Sequence, residues 1–389
     1  MNLTEVKDPR TEKAFLDVAR KIYEKDKTWV CPFDNDIKGV FDPERNTYFR
    51  HGEVSRWVLS DDKGNLIGRI SAFIDRNMAG SYDQPTGGMG FFECINNREA
   101  AFLLFDTARN WLAERGMEAM DGPINFGETD KYWGLLVDGF THPSFDVPYN
   151  HPYYKDLFEA YGFCVYYKME GFHLDLKKPV PERFLKIAEW VTKKPGYEFR
   201  HFTWKDQEKF TADFAQVFNE AWSSFKKYFE PLEAEYIRKT LQKAKPIIDE
   251  EFIWFAYFEG KPISIFLMFP DLNQLLKHIN GKLDPISLIK FLWLKNRKTM
   301  TRAKGLLMGV IPRFQGHGIE SAFIFHLLKV FEHKPHYTEI EFSWVADFNP
   351  KMRKIFTSVG SVPAKNYITY RYLFDRTKEF KRYPFEESA

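Results

Sequence analysis

An apolar run, a proline, two closely spaced glycines and a long apolar helical pattern follow one another between Leu306 and Phe331, and together they dictate how the chain is built. Leu306, Leu307 and Met308 read as the end of a strand. Pro312 has no N–H to give to a ladder and stops that strand. From Ser321 to Phe331 the apolar residues recur at helical spacing. Between strand and helix stands Gln315-Gly316-His317-Gly318, where the glycines permit positive φ and close approach of a ligand to the backbone. The first N–H groups of such a helix have no partner inside it and carry its partial positive charge. The turn therefore aims several donors at one spot, a natural place for an anion such as a pyrophosphate.

The elements around this turn occur twice. In the second half the periodicity predicts a strand at 197–204, helices at 205–225 and about 232–248, and a hairpin of 252–258 and 263–269. After the turn and its helix come a strand at 338–345, a short helix at 349–359 closed by Gly360, and a last strand at 367–374. The first half repeats the order: a helix at 12–23, a hairpin of 56–59 and 67–74, a strand at 90–94, a helix at 98–115, a helix closed by Gly162 and a strand at 164–176. The hairpins begin at Arg56 and Phe252, 196 residues apart, and the closing glycines are 198 apart, yet the strand ends at Cys94 and Val310 are 216 apart. One insertion before the second-half turn and a similar one after the matching first-half helix account for all three offsets. The expectation is an α+β chain with a mixed sheet, made of a unit at 1–176, a Lys- and Pro-rich linker at 177–195 and a unit at 196–389.

Bulk charge excludes some partners. With 56 basic and 54 acidic residues the net charge is +2, so no field toward nucleic acid is expected. Cys31, Cys94 and Cys164 are far apart, and His142, His151 and His317 are scattered; no metal is expected, and a reducing cytoplasm fits best. No apolar run approaches the roughly 20 residues of a membrane span, and the N-terminus lacks a signal-peptide layout. Nothing in the sequence speaks to oligomeric state.

Strand, Gln315-Gly-His-Gly318, helix, strand, and then Asn349 followed eleven residues later by Gly360: in this pattern residues 195–375 resemble the Gcn5-related N-acetyltransferase (GNAT) superfamily. Residues 1–176 resemble it in element order and in Gly162-Phe163. The resemblance implies two tandem acyl-CoA N-acyltransferase (GNAT) folds, an arrangement shared with N-myristoyltransferases and Fem-type aminoacyl transferases. It implies transfer of an acyl group from acetyl-CoA or another acyl-CoA to a small-molecule or peptide amine, by direct attack in a ternary complex. On that resemblance Gln315, Gly316, His317, Gly318 and Ile319 would hold the pyrophosphate and Asn349 the pantetheine arm or strand edge. A backbone N–H near Met308–Val310 would polarise the thioester carbonyl. After Cys94 the first half reads Ile-Asn-Asn-Arg, without glycine, so one donor site is expected, in the second half. Two positions depart from the family pattern. Glu320 stands where Gly or Ala is usual, with its side chain expected to point away from the anion, and Phe356 stands where a Tyr commonly protonates the leaving thiolate. A non-catalytic acyl-CoA-binding protein and a Fem-like aminoacyl transferase are the alternative readings.

Candidates for the chemistry follow from position. Glu341 and Ser343 share one face of the strand after the turn, and Asp347 lies just beyond, either as a base or as a helix cap. Tyr367, and with it Tyr370, could donate a proton from the last strand. The long loop from Gly122 to Gly134 offers Glu128, Asp130, Tyr132 and Trp133 as an acceptor pocket. The second-half insertion, 272–304, carries eight Lys or Arg against one Asp, interleaved with large apolar residues. It reads as an amphipathic helix pair with a solvated basic face, as a lid over an anionic ligand, or as a helix lying on a membrane surface.

Overall fold

A computed structural model describes residues 1–128, 131–223, 231–281 and 284–383. The first half runs β1 (Asn2–Glu5), α1 (Pro9–Ile22), α2 (Asp34–Val40), β2 (Gly52–Ser60), β3 (Leu66–Asp75), α3 (Arg76–Ala79), β4 (Thr86–Cys94), α4 (Arg98–Ala113), β5 (Ala119–Gly122), β6 (Leu135–Asp138), α5 (Tyr154–Tyr161) and β7 (Cys164–Asp175). After α6 (Glu182–Thr192) the second half runs β8 (Tyr197–His201), α7 (Gln207–Trp222), α8 (Ala234–Ala244), β9 (Ile253–Phe258), β10 (Lys261–Pro270), α9 (Asn273–Leu276) and α10 (Pro285–Asn296). It ends with β11 (Arg302–Val310), α11 (Ile319–His333), β12 (Glu339–Ala346), α12 (Pro350–Ser358) and β13 (Val362–Leu373).

Local chemistry explains the boundaries. Asp8 and Asn97 cap α1 and α4 by accepting N–H groups of the first turn. Gly162 ends α5 in the left-handed region, at φ 106°, where a side chain would be strained. Asn349 caps α12 through Met352 N–H at 3.1 Å. The cap of this helix is thus Asn349 and not Asp347, which pairs with Arg382 at 2.6 Å.

The strands form one sheet in the order β1-β2-β3-β4-β5-β13-β7-β12-β11-β10-β9-β8, with β6 also on β13. The duplicated order expected from the sequence is present, but the final strands are exchanged. β7, the last strand of the first half, lies against β12, and β13, the last strand of the second half, lies against β5. The two pair with each other in the middle of the sheet. The segment expected as a linker, 177–195, holds α6 at its centre, packed on α11. Each half is thus completed by the other's last strand. A buried bidentate pair fastens one of these crossings: Arg371 on β13 donates to Asp121 on β5 at 2.6 and 2.7 Å.

Both halves open in the same place. The parallel pair β4–β5 holds only from Thr86 to Gly88, and β11–β12 only from Arg302 to Lys304. Beyond these residues the strands diverge, leaving a cleft walled by backbone. A bulge marks each cleft: Leu306 is the extra residue in β11 against β10, and in β4 the register slips around Phe91, which sits at φ 51°.

Candidate active site

In the second half the cleft ends at the glycine turn. Gln315 N–H donates to Pro312 O at 3.2 Å and His317 N–H to Phe314 O at 3.4 Å, which tightens the turn. The N–H groups of Gly316, Gly318 and Ile319 have no hydrogen-bond partner among the described residues. Gly316 has φ 79° and open space where a Cβ would point. Gly318 has φ 84°, and a Cβ there would meet Val191 of α6 at 2.9 Å. Lys194 donates to His317 O at 3.4 Å, and Tyr197 Oη lies 2.7 Å from His317 Nδ1. The turn is thus braced by α6 and β8, with free donors and nearby positive charge, and its residues fit a pyrophosphate. Glu320, expected to point away from the anion, has a buried side chain. Burial pushes its pKa up, toward the neutral acid.

Met308 and Val310 stand on β11 past the bulge, paired with Phe266 and Ser264 of β10. Trp222 closes over this strand: a Cβ on Gly309 would sit 2.2 Å from its ring. On the opposite wall Phe342 stacks on Phe356 at 4.3 Å, so Phe356 acts as packing where a hydroxyl acid would stand.

The sequence-based catalytic set is not assembled here. Glu341 lies at the closed end of the cleft and is buried. Its carboxylate accepts from Lys365 at 2.6 Å and Ser144 at 2.9 Å, and Arg302 lies at 3.5 Å. These cations hold its pKa below the ordinary range against burial, which pushes it up. A carboxylate so committed is a structural anion, not a base. The Ser343 side chain lies outside the described residues. Asp347 is exposed and paired with Arg382, and Tyr367 is 1% exposed with no hydrogen-bond partner for its hydroxyl among the described residues. The acceptor loop is likewise dispersed. Trp133 packs on Tyr367 at 4.8 Å in the core between the halves, Glu128 accepts from Tyr48 at 2.9 Å, and Asp130 lies outside the described residues. Among Glu128, Tyr132 and Trp133, it is Tyr132 that lines a cavity, with its ring 4.7 Å from Phe91.

That cavity, of about 140 Å³, occupies the first-half cleft and was not foreseen. Trp29, Phe33, Phe91, Tyr132, Leu135 and Phe145 make it largely aromatic, and Leu276 of α9 adds a wall from the second half. One end is polar. Glu93 Oε2 accepts from Tyr23 and Tyr154 hydroxyls, both at 2.7 Å, and Arg69 lies 3.5 Å from Oε1. Burial pushes the Glu93 pKa up while Arg69 pulls it down. The signal was present in the sequence: Glu93 is the single charged residue in the apolar run 86–95.

A solved tandem GNAT protein from the clavulanic acid biosynthesis pathway superposes on 97% of this chain and 100% of its own length, with a TM-score of 0.53 at 13% identity. The chain is a tandem GNAT-fold protein. Two relatives match the chain in sequence over most of both lengths. Bacterial ceramide synthase of Caulobacter vibrioides is 28% identical over 382 residues, 95% of this chain and 97% of that protein. Protein YghO of Escherichia coli is 23% identical over 370 residues, 92% of each chain. No protein-family model matches the chain.

Proposed function

We propose that this tandem GNAT-fold protein is an acyltransferase that moves an acyl group from a coenzyme A thioester to the amine of a long-chain amino alcohol. The observation that carries the reading is the second-half cleft, whose strands pair over three residues and then part toward a glycine turn with three unpartnered N–H groups. Such a cleft fits an extended thioester, with the pyrophosphate at Gly316, Gly318 and Ile319. The amine nitrogen attacks the thioester carbon, the C–N bond forms, the C–S bond breaks, and the nitrogen loses a proton. A thiol of pKa near 8.5 leaves as thiolate without an acid, which is compatible with Phe356. Positioning is then the main source of rate.

The acceptor class rests on two supports. One relative spanning both halves is named a ceramide synthase, and a ceramide is a long-chain amino alcohol acylated on nitrogen. The aromatic first-half cavity suits an alkyl chain. The test is release of free thiol from acyl-CoA of increasing chain length, with long-chain 2-amino-1,3-diols against short amines, and mass spectrometry of the amide. Thiol release only with the long-chain acceptor, abolished by Gly318→Glu, is expected. Absence of acyl-CoA binding in calorimetry would sink the proposal. Glu320 and Phe356 favour a second reading, binding without turnover; it predicts calorimetric binding with no thiol release on any amine.

A further inference from the structure

Thirteen large apolar side chains remain exposed among the described residues, and five of them lie on the twelve-residue helix α10. They are Ile286 (80% exposed), Leu288 (48%), Ile289 (69%), Leu292 (44%) and Trp293 (51%). Ile286, Ile289 and Trp293 follow the i, i+3, i+7 spacing that lines one face. The opposite face is already satisfied: Phe291 and Leu294 are buried with Val30, Leu272, Leu275, Leu276, Ile279 and Met300. Asp284 caps the helix through Ser287 N–H at 2.9 Å. The helix is therefore firmly seated, and its outward apolar face serves no packing among the described residues.

Charge selects what covers that face. Lys290, Lys295, Arg297 and Lys298 lie on or directly after α10, and its acid, Asp284, is the cap. Arg297 folds over the Trp293 ring at 4.1 Å, and Lys290 reaches back to His278 O at 3.0 Å. Basic groups thus edge the apolar stripe, an arrangement that lets apolar side chains enter a bilayer interface while cations stay at the headgroups. A second copy seated on the same face would bring four cations against four. At twelve residues α10 is too short to span a bilayer, and no helix among the described residues is long and apolar enough to cross one.

We infer that α10 is an interfacial helix that docks this protein on an anionic lipid bilayer. α9, which packs under α10 through Leu276, also walls the first-half cavity through Asn273 and Leu276, so docking sets that cavity beside the membrane. The inference stands apart from acyl transfer, because docking is measured with neither acyl-CoA nor amine present.

Co-sedimentation with vesicles of phosphatidylcholine, alone or mixed with phosphatidylglycerol, tests it. The protein should pellet with the anionic vesicles, less with phosphatidylcholine alone, and less as salt rises. Ile289→Glu and Trp293→Glu should each weaken binding about tenfold or more, and Lys290→Gln and Lys298→Gln about fivefold each on anionic vesicles only. All four positions are exposed, so circular dichroism and thermal unfolding should stay as in the native protein. Protein that stays in the supernatant with both vesicle types overturns the inference, as does an Ile289→Glu variant that pellets like the native chain. A concentration-dependent dimer that the same substitution renders monomeric also overturns it, since a second copy then covers the face.

Discussion

Replacing Arg371 by Met tests whether the exchanged strands are held by the pair seen at the β5–β13 crossing. Arg371 and Asp121 stand directly opposite in register and are 4% and 5% exposed. The guanidinium also lies 3.6 Å from the Tyr166 ring centroid. Met fills similar space but removes both donors from a buried carboxylate, a loss of about 3–5 kcal/mol. Against a total stability of about 5–15 kcal/mol, that is a large fraction. Arg371→Lys should fall in between, because an ammonium cannot make the two-pronged contact. The apolar double variant Asp121→Leu/Arg371→Met should recover about 3 kcal/mol relative to the Met variant, since no charge is left stranded. Protonation adds a sign. Burial already pushes the Asp121 pKa up, and Arg371 pulls it down; with Arg371 gone the upward push is unopposed. A carboxyl raised in the folded state contributes stability that is lost as pH rises through its folded pKa. The penalty of the Met variant should thus be larger at about pH 8 than at about pH 5. Urea unfolding followed by circular dichroism at both pH values measures it. A Met variant that loses less than about 1 kcal/mol, or whose penalty grows as pH falls, would refute the account.

Glu341→Gln should cost about 3–5 kcal/mol by stranding buried Lys365, yet leave thiol release per folded molecule unchanged; reduced turnover at full folding would restore Glu341 as a base. Gly318→Ala should cost about 1–2 kcal/mol from the left-handed backbone, with more from Val191, 2.9 Å away; the added Val191→Ala should recover only the contact part in thermal unfolding. Glu320 is already pushed toward the neutral acid, and a pyrophosphate beside it pushes further, so acyl-CoA affinity should fall as pH rises. In Glu320→Gln, calorimetry across pH should show that slope flattened. Burial and the cations Arg302 and Lys277 push the His142 pKa down to about 4. The unfolded chain then takes up the proton first, so stability should decline as pH falls from about 6.5 toward about 4. His142→Asn should make the fall in urea midpoint shallower.

Much of the architecture was legible because it is local. Gly162 and Gly360 end helices in the left-handed region, Asn97 and Asn349 are caps, and apolar spacing marks α4 and α11; each is settled within a few residues. The strand exchange was not legible, because β7 and β13 have equivalent partners available in either half and nothing local distinguishes them. The site divided in the same way. The turn glycines announce themselves through φ. Glu341 looked like a base because alternation gives a face, not the neighbours on that face; Lys365, Ser144 and Arg302 arrive from three distant segments. Glu93 carried a signal, a lone acid in an apolar strand, but its meaning depends on Tyr23 and Tyr154 from other elements.

The exchanged strands also set a schedule for synthesis. Asp121 leaves the ribosome 250 residues ahead of Arg371, its partner across the β5–β13 pair. At roughly 5–20 residues per second that gap lasts on the order of 10–50 seconds. For that time the β5 edge has no final strand to cover it, and an open edge invites pairing with another chain. The nascent first half is a natural client for a chaperone, and a chain cut within 177–195 after folding should stay clasped as two interlocked pieces.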